Sequence, residues 1–259
     1  MTLLNLFYSF KPKTFAPPRL QCHRGFWVDG LQQNSLASLK KAYELGYKIS
    51  EFDIRITRDH HVILFHDDKI GSQKVSEMTL AEVEKHQKVD SFESVMQWFS
   101  QIPVGEYHLN IEIKSKVIRE PILEKKVLDL IQKYKVENRV LISSFNPFRL
   151  FYFRMHCPKI IRALLLTFEN DPGNNFILKS QVLNLLAKPD FLHLNEKYWS
   201  PERYKTLLKQ GVPVVLWTCN DPEQVKKYFH QGVYGVISDT LKPADVKNFE
   251  KTSHVETLS

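Results

Sequence analysis

The sequence predicts one α/β domain, a closed (β/α)8 or TIM barrel. Three observations carry that expectation. Short runs rich in β-branched residues alternate eight times with segments of helical period. The 259 residues match the roughly 250 that one such barrel occupies. No linker or compositional break divides the chain. The barrel is expected over residues 19–245, between an N-terminal extension (1–18) and a C-terminal tail (246–259).

In chain order, the first strand falls at Leu20–His23, and Asn34-Ser35 then opens a helix to Leu45 that Gly46 stops. The second strand, Ile49–Asp53, leads past Ile56 into the turn Thr57-Arg58-Asp59-His60 and a further strand-like run, Val62–His66. A parallel crossover needs about a dozen residues or more, so that run returns antiparallel as a hairpin. Centred on Arg58 and Asp59, the hairpin sets His66 opposite Glu51 and Leu64 opposite Asp53. Helical spacing follows over Thr79–Gln97, then strand Leu109–Ile113, helix Ile122–Tyr134 and strand Val140–Ser144. Helix Pro147–Met155, strand Ile161–Leu166, helix Phe176–Leu186 and strand Phe191–Asn195 continue the alternation. Ser200-Pro201 and Asp221-Pro222 open the last two helices and Gly211 and Gly232 stop them, around strands Val212–Trp217 and Tyr234–Ser238.

Composition narrows the function. With 43% hydrophobic and 25% charged residues, the chain is neither collagen-like nor intrinsically disordered. Three scattered cysteines, Cys22, Cys157 and Cys219, form no disulfide framework or zinc site and point to a reducing, cytoplasmic setting. No apolar run approaches the ~20 residues that span a bilayer. The short apolar stretch Leu3–Phe10 reads as a cap on the barrel or, beside Lys11 and Lys13, as a peripheral foot on an anionic membrane. The net charge of +7 does not imply a nucleic-acid partner. Its densest basic stretch, Lys114 to Lys135, is interleaved with Glu120, Glu124 and Asp129 as on a solvated helix face, and no aromatic-basic stripe accompanies it.

Barrels of this class place their chemistry where the strands end. The first strand ends in His23-Arg24-Gly25. Glu51 and Asp53 are two residues apart and share a strand face, as do Asn110, Glu112 and Lys114 on the third strand. Any one of these carboxylates alone suits a salt-bridge network. Three crowded together repel one another unless a cation lies among them. Oxygen ligands select hard cations, so the expected metal site is Glu51, Asp53 and Glu112 around Mg²⁺ or Ca²⁺. His23 and His66 converge on the same mouth as proton-moving groups, and Arg24 and Lys114 as partners for an anionic oxygen. Together these groups suit the cleavage of a phosphodiester.

His23-Arg24-Gly25, Glu51-Phe52-Asp53-Ile54, Thr57-Arg58-Asp59, Phe65-His66-Asp67 and Glu112-Ile113-Lys114 resemble the motif series of the glycerophosphodiester phosphodiesterase family. Ser143-Ser144-Phe145, Trp217-Thr218-Cys219-Asn220 and Gly235-Val236-Ile237-Ser238-Asp239 continue the series in the family's order. The resemblance implies a barrel of the phospholipase C-like phosphodiesterase type. It implies a divalent cation on Glu51, Asp53 and Glu112, acid and base roles for His23 and His66, phosphate contacts from Arg24 and Lys114, and a substrate-side Trp217. The implied reaction is hydrolysis of a small-molecule glycerophosphodiester to glycerol 3-phosphate and an alcohol.

The sequence departs from the family pattern at three places. Gln33-Asn34-Ser35 stands where the family has Glu-Asn-Thr, Asp59-His60 replaces an Asp-Gly turn, and the insertion between Asp67 and Asp90 is short. A short insertion opens the mouth to a bulkier substrate, which keeps phospholipase D-type hydrolysis of lysophospholipids at a membrane as an alternative. Loss of the negative charge at Gln33 leaves a non-catalytic phosphodiester-binding module as a reading of another class.

Overall fold

The computed structural model describes residues 4–11, 13–114, 121–168, 183–247 and 249. Its strands are β1 Leu20–Cys22, β2 Ile49–Ile56, β3 Val62–Leu64, β4 Lys69–Ile70, β5 Gln73–Lys74, β6 His108–Ile113, β7 Val140–Ser144, β8 Ile161–Leu166, β9 Phe191–Asn195, β10 Val214–Trp217 and β11 Gly235–Ser238. β1, β2, β6, β7, β8, β9, β10 and β11 pair in parallel in that order, and β11 pairs back onto β1 to close the barrel. All of the barrel strands fall where the sequence places them.

Alternation along each strand sorts the side chains. Phe52 and Ile54 on β2, Leu109, Ile111 and Ile113 on β6, and Leu192 and Leu194 on β9 face the surrounding helices and join the main core. A second cluster fills the barrel itself: Leu141, Ile161, Ala163, Phe191, Val215 and Ile237, with Phe15 packed against it. Phe15 also stacks on His108, ring centroids 4.1 Å apart, at the start of β6. Tyr8 is buried too, so this part of the N-terminal extension caps the barrel base, while Leu6 and Phe10 stay exposed. Among the described residues no helix is long and apolar enough to cross a membrane.

β2 runs three residues beyond the expected Asp53 because Ile54, Arg55 and Ile56 pair with β3. The hairpin register is shifted by one residue from the expected one: Ile54 lies opposite Leu64, and the Asp53 carbonyl accepts from the Phe65 amide at 3.0 Å. The cause is the turn. Arg58, Asp59 and His60 form a three-residue loop closed by Thr57 and His61, with His60 at φ +65° in the left-handed position such loops require.

The expected helix over Thr79–Gln97 is two helices, Leu80–Glu84 and Phe92–Ser100. Asp90 interrupts it: its carbonyl accepts from the Leu64 amide and its carboxylate from the Leu36 amide, at 2.9 and 2.8 Å. Ser91 then caps the second helix. The segment between the hairpin and that helix forms a small satellite, in which Ile63, Phe65, Val75, Met78, Val83 and Val89 bury one another. Of the expected helix Phe176–Leu186, only Asn184–Ala187 is helical within the described residues, and 169–182 lie outside them. Glu124 is not on a solvated face. It is buried against Arg149 at 3.0 Å, where helix Ile122–Lys133 meets helix Pro147–His156.

Candidate active site

The first βα turn builds one wall of the mouth. The His23 amide donates to the Ser238 carbonyl at 2.9 Å, which fixes the chain as it leaves β1. Arg24 then takes φ +56°, aiming its amide at the Glu51 carboxylate (Oε2, 3.2 Å). Gly25 follows at φ +71°. A Cβ there would lie 2.6 Å from the Ser38 carbonyl carbon, so only glycine lets helix Leu36–Glu44 approach this closely.

Glu51, Asp53 and Glu112 lie side by side, each offering an oxygen within 4.8 Å of the others. All three are buried. Adjacent strands place them, with Asp53 directly opposite Glu112 in the β2–β6 register. Asn34, at φ +52°, clamps Asp53 from the side: its Nδ2 donates to Oδ2 at 2.9 Å and its Oδ1 accepts from the Asp53 amide at 2.8 Å. Arg24 Nε reaches the same Oδ2 at 3.3 Å, and Lys114 Nζ reaches Asp53 Oδ1 at 3.2 Å and Glu112 Oε1 at 2.8 Å.

The carboxylates are not electrostatically equivalent. Burial pushes Glu51 well above the usual carboxylate range, and Asp53 and Glu112 push it the same way. Glu112 is pushed up to about 7, by burial first, with Lys114 drawing it back. Burial would raise Asp53 as well, but Lys114, His66 and Arg24 outweigh it and hold that group low. Burial opposes the charge on Lys114, yet Asp53 and Glu112 hold its ammonium above the ordinary lysine value. A dication suits this donor set. Three oxygen ligands converge, two of them are strained toward protonation without a counter-charge, and Glu51 Oε1 is buried with no hydrogen-bond partner.

Each imidazole is tied at Nδ1 to an aspartate. His23 Nδ1 lies 2.6 Å from Asp239 Oδ1, and its Nε2 lies 3.8 Å from Glu51 Oε2. Asp239 is itself held, its Oδ2 accepting from Asn220 Nδ2 at 3.1 Å while Asn220 Oδ1 accepts from the Asp239 amide and the Ser238 hydroxyl. His66 Nδ1 lies 2.7 Å from Asp67 Oδ1, and Arg55 pins the His66 carbonyl through Nε and Nη2 at 3.0 and 2.8 Å. Burial, then Lys114, pushes the His66 ring below the usual histidine value, while Asp53 draws it back. With Nδ1–H given to a carboxylate, Nε2 of each ring is the nitrogen that can exchange a proton.

Trp217 packs edge-on against Phe145, centroids 5.7 Å apart, and Lys114 Nζ lies 5.8 Å from the Phe145 ring. Gln33 accepts a hydrogen bond from Arg24 Nη1 at 2.8 Å, so the neutral side chain still holds the guanidinium. The residues singled out in the sequence therefore come together. His23, Arg24, Glu51, Asp53, Glu112 and Lys114 are in direct contact, His66 follows Phe65, whose amide donates to the Asp53 carbonyl at 3.0 Å, and Trp217 joins through Phe145. The sequence reading missed the roles of Asn34, Asp239 and Asn220. Asn34 was legible only as the residue before the Ser35 cap and as the middle of Gln33-Asn34-Ser35, and the other two only as members of motifs. His193, on β9, is buried with neither ring nitrogen hydrogen-bonded.

With Arg24 and Lys114 paired to buried carboxylates beside two imidazoles anchored at Nδ1, the site is that of a phosphoric diester hydrolase. The chain belongs to the glycerophosphoryl diester phosphodiesterase family, whose model matches residues 23–242. It is 28% identical to a glycerophosphodiester phosphodiesterase of Caldanaerobacter subterraneus subsp. tengcongensis, over 84% of this chain and 92% of that protein. It is 23% identical to the human lysophospholipase D GDPD1, over 94% of this chain and 89% of the relative. Among solved structures, an Oleispira antarctica phosphodiesterase in complex with the product sn-glycerol-3-phosphate has the same fold. Its TM-score is 0.73 at 22% identity, covering 91% of this chain and 97% of that one.

Proposed function

We propose that the protein hydrolyses glycerophosphodiesters to glycerol 3-phosphate and an alcohol, with Glu51, Asp53 and Glu112 holding a divalent cation and His23 and His66 moving the protons. The observation that carries this reading is the convergence of the buried carboxylates, with Glu51 Oε1 unpaired, beside an imidazole anchored at Nδ1. Mg²⁺ or Ca²⁺ bound there would supply Lewis-acid polarisation of a phosphoryl oxygen. Arg24 and Lys114 hold the remaining non-bridging oxygens and offset the charge that grows on them. Asn34 keeps Asp53 from turning toward Arg24 alone, because it fixes both the carboxylate and its amide. One imidazole accepts through Nε2 the proton of the hydroxyl that forms the new P–O bond, either water's directly or the substrate glycerol's own, in which case water opens the cyclic phosphate in a second step. The other gives a proton to the alkoxide oxygen as the P–O bond breaks. Asp239 and Asp67 orient the two rings and stabilise the positive charge each carries in turn.

Glycerophosphocholine, glycerophosphoethanolamine and glycerophosphoglycerol, assayed with metal removed and restored, test the reading. Activity that vanishes on chelation, returns with Mg²⁺ or Ca²⁺ and is lost in His23→Ala supports it, and turnover that survives both contradicts it. The human relative's name favours a second reading, lysophospholipase D activity, in which the same bond is cut in an acylated substrate. Faster turnover of lysophosphatidylcholine than of glycerophosphocholine would select it.

A further inference from the structure

Exposed apolar side chains gather at the end of the barrel opposite the mouth. Of the nine large ones exposed among the described residues, five come from three adjoining segments. They are Leu6 and Phe10 of the N-terminal extension, Leu185 and Leu186 of helix Asn184–Ala187, and Met155 near the end of helix Pro147–His156. Helix Leu4–Phe7 and helix Pro147–His156 both pack against helix Asn184–Ala187. The Ser9 amide donates to the Pro189 carbonyl at 3.0 Å, and Arg154 Nη1 donates to the Leu185 and Leu186 carbonyls at 3.1 and 2.6 Å. β8 and β9 begin just beyond these segments, at Ile161 and Phe191, which sets the patch at the barrel base.

Helix Asn184–Ala187 is inside out: its polar Asn184 is buried and its leucines are exposed. A single exposed leucine needs no explanation, but several on adjoining segments mark a surface that meets something apolar. Charge on these segments has one sign. Residues 6–13, residues 183–189 and helix Pro147–His156 contain no aspartate or glutamate, whereas Lys11, Lys13, Arg154 and Lys188 lie among them. The next acid along the chain, Asp190, is buried and paired with Arg162 at 3.2 Å. A symmetric second copy would set these cations against their own counterparts, so the face is poorly suited to a dimer. It suits an anionic bilayer, in which leucine and phenylalanine enter the acyl boundary and the basic groups meet the headgroup charge.

We propose that the barrel base docks the protein on an anionic membrane surface through Leu6, Phe10, Met155, Leu185 and Leu186, with Lys11, Lys13, Arg154 and Lys188 holding the headgroups. The docking does not rest on the phosphodiesterase reading, but its consequence does. Parallel strands that begin at the base end at the mouth, so a protein seated this way turns its carboxylates and imidazoles to water. Its diester then arrives from solution and not from the bilayer beneath it.

Flotation with vesicles of phosphatidylcholine alone, and of equimolar phosphatidylcholine and phosphatidylglycerol, tests the docking. Wild type is expected to float with the anionic vesicles and far less with the neutral ones. Replacing both leucines, Leu185→Ser with Leu186→Ser, should weaken binding about tenfold or more, and Lys11→Gln about fivefold. These side chains are exposed, so melting temperature should stay at the wild-type value. Lipids brominated on the acyl chain report orientation: they should quench the new fluorophore of Phe10→Trp and leave wild-type fluorescence, which includes Trp217 at the mouth, largely intact. No flotation with anionic vesicles, equal flotation of the leucine variant, or quenching as strong in wild type as in Phe10→Trp overturns the proposal. A wild-type dimer in sedimentation that the leucine variant loses overturns it too, because a second copy then covers the face. Vesicle binding without turnover of any diester leaves the docking standing and contradicts the phosphodiesterase reading instead.

Discussion

Replacing Asp239 with asparagine isolates the contribution of ring orientation to the reaction. Asp239 accepts two hydrogen bonds, from His23 at Oδ1 (2.6 Å) and from Asn220 at Oδ2 (3.1 Å). Asparagine has one acceptor oxygen, so its amide nitrogen must face one of those two donors. Either His23 loses its anchor, or Asn220 turns and releases the loop. The variant also removes the negative charge that stabilises the ring when it is protonated. A hydrogen bond involving a charged group contributes about 1.5–3 kcal/mol, and each 1.36 kcal/mol is tenfold in rate, so kcat should fall about 10- to 150-fold. KM should stay within about twofold, since Arg24 and Lys114 are untouched. Steady-state kinetics on glycerophosphocholine and on a diester with a good leaving group, such as p-nitrophenol, provide the readout. If His23 protonates the leaving oxygen, the loss is much smaller for the second substrate. A folded Asp239→Asn enzyme with wild-type kcat on both, or one whose loss is entirely in KM, would refute the orienting role.

His193 is buried inside the barrel with neither ring nitrogen hydrogen-bonded, and burial pushes it down to about 3, from an unfolded value near 6.5. A depressed value means that stability is complete above about pH 6.5 and is lost as pH falls toward 3, because only the unfolded chain takes the proton. Between pH 7 and pH 5 that linkage is about 2 kcal/mol. Urea titrations should show His193→Leu losing about that much less than wild type over the same interval, and equal losses would contradict the burial argument. Gly25→Ala forces a Cβ against the Ser38 backbone at positive φ, so it should lower Tm and activity together. Unchanged melting would mean that the turn is looser than described. Lys114→Met should leave Asp53 and Glu112 without their shared ammonium and raise the KM of every diester at least tenfold. Kinetics that alter kcat alone would place Lys114 elsewhere in the reaction.

Much of this site was legible because strand alternation is a rule of period two. Glu51 and Asp53 had to share a face, Asn110, Glu112 and Lys114 another, and both strands had to end at one rim. The hairpin register was not legible, since it depends on His60 accepting a left-handed conformation that the residue type does not announce. The break at Asp90 was hidden for a related reason. Local helical spacing continues through it, and only bonds to Leu36 and Leu64, far off in sequence, pull it out of the helix. Asn34, Asp239 and Asn220 act through single side-chain contacts across the barrel, up to 216 residues apart for Asp239 and His23. Periodicity carries no record of such pairs. Glu124 illustrates the converse, a charge that its interleaved lysines suggest is solvated but that helix packing buries against Arg149.

The central claim is that Glu51, Asp53 and Glu112 together hold one divalent cation. Calorimetric titration of chelator-treated protein with Mg²⁺ and with Ca²⁺ addresses it without reference to turnover. The account predicts one ion bound per chain in the wild type, with binding abolished or weakened at least tenfold in Glu51→Gln and Glu112→Gln alike. Wild-type protein that binds neither ion, or variants that bind as tightly as it does, would contradict it.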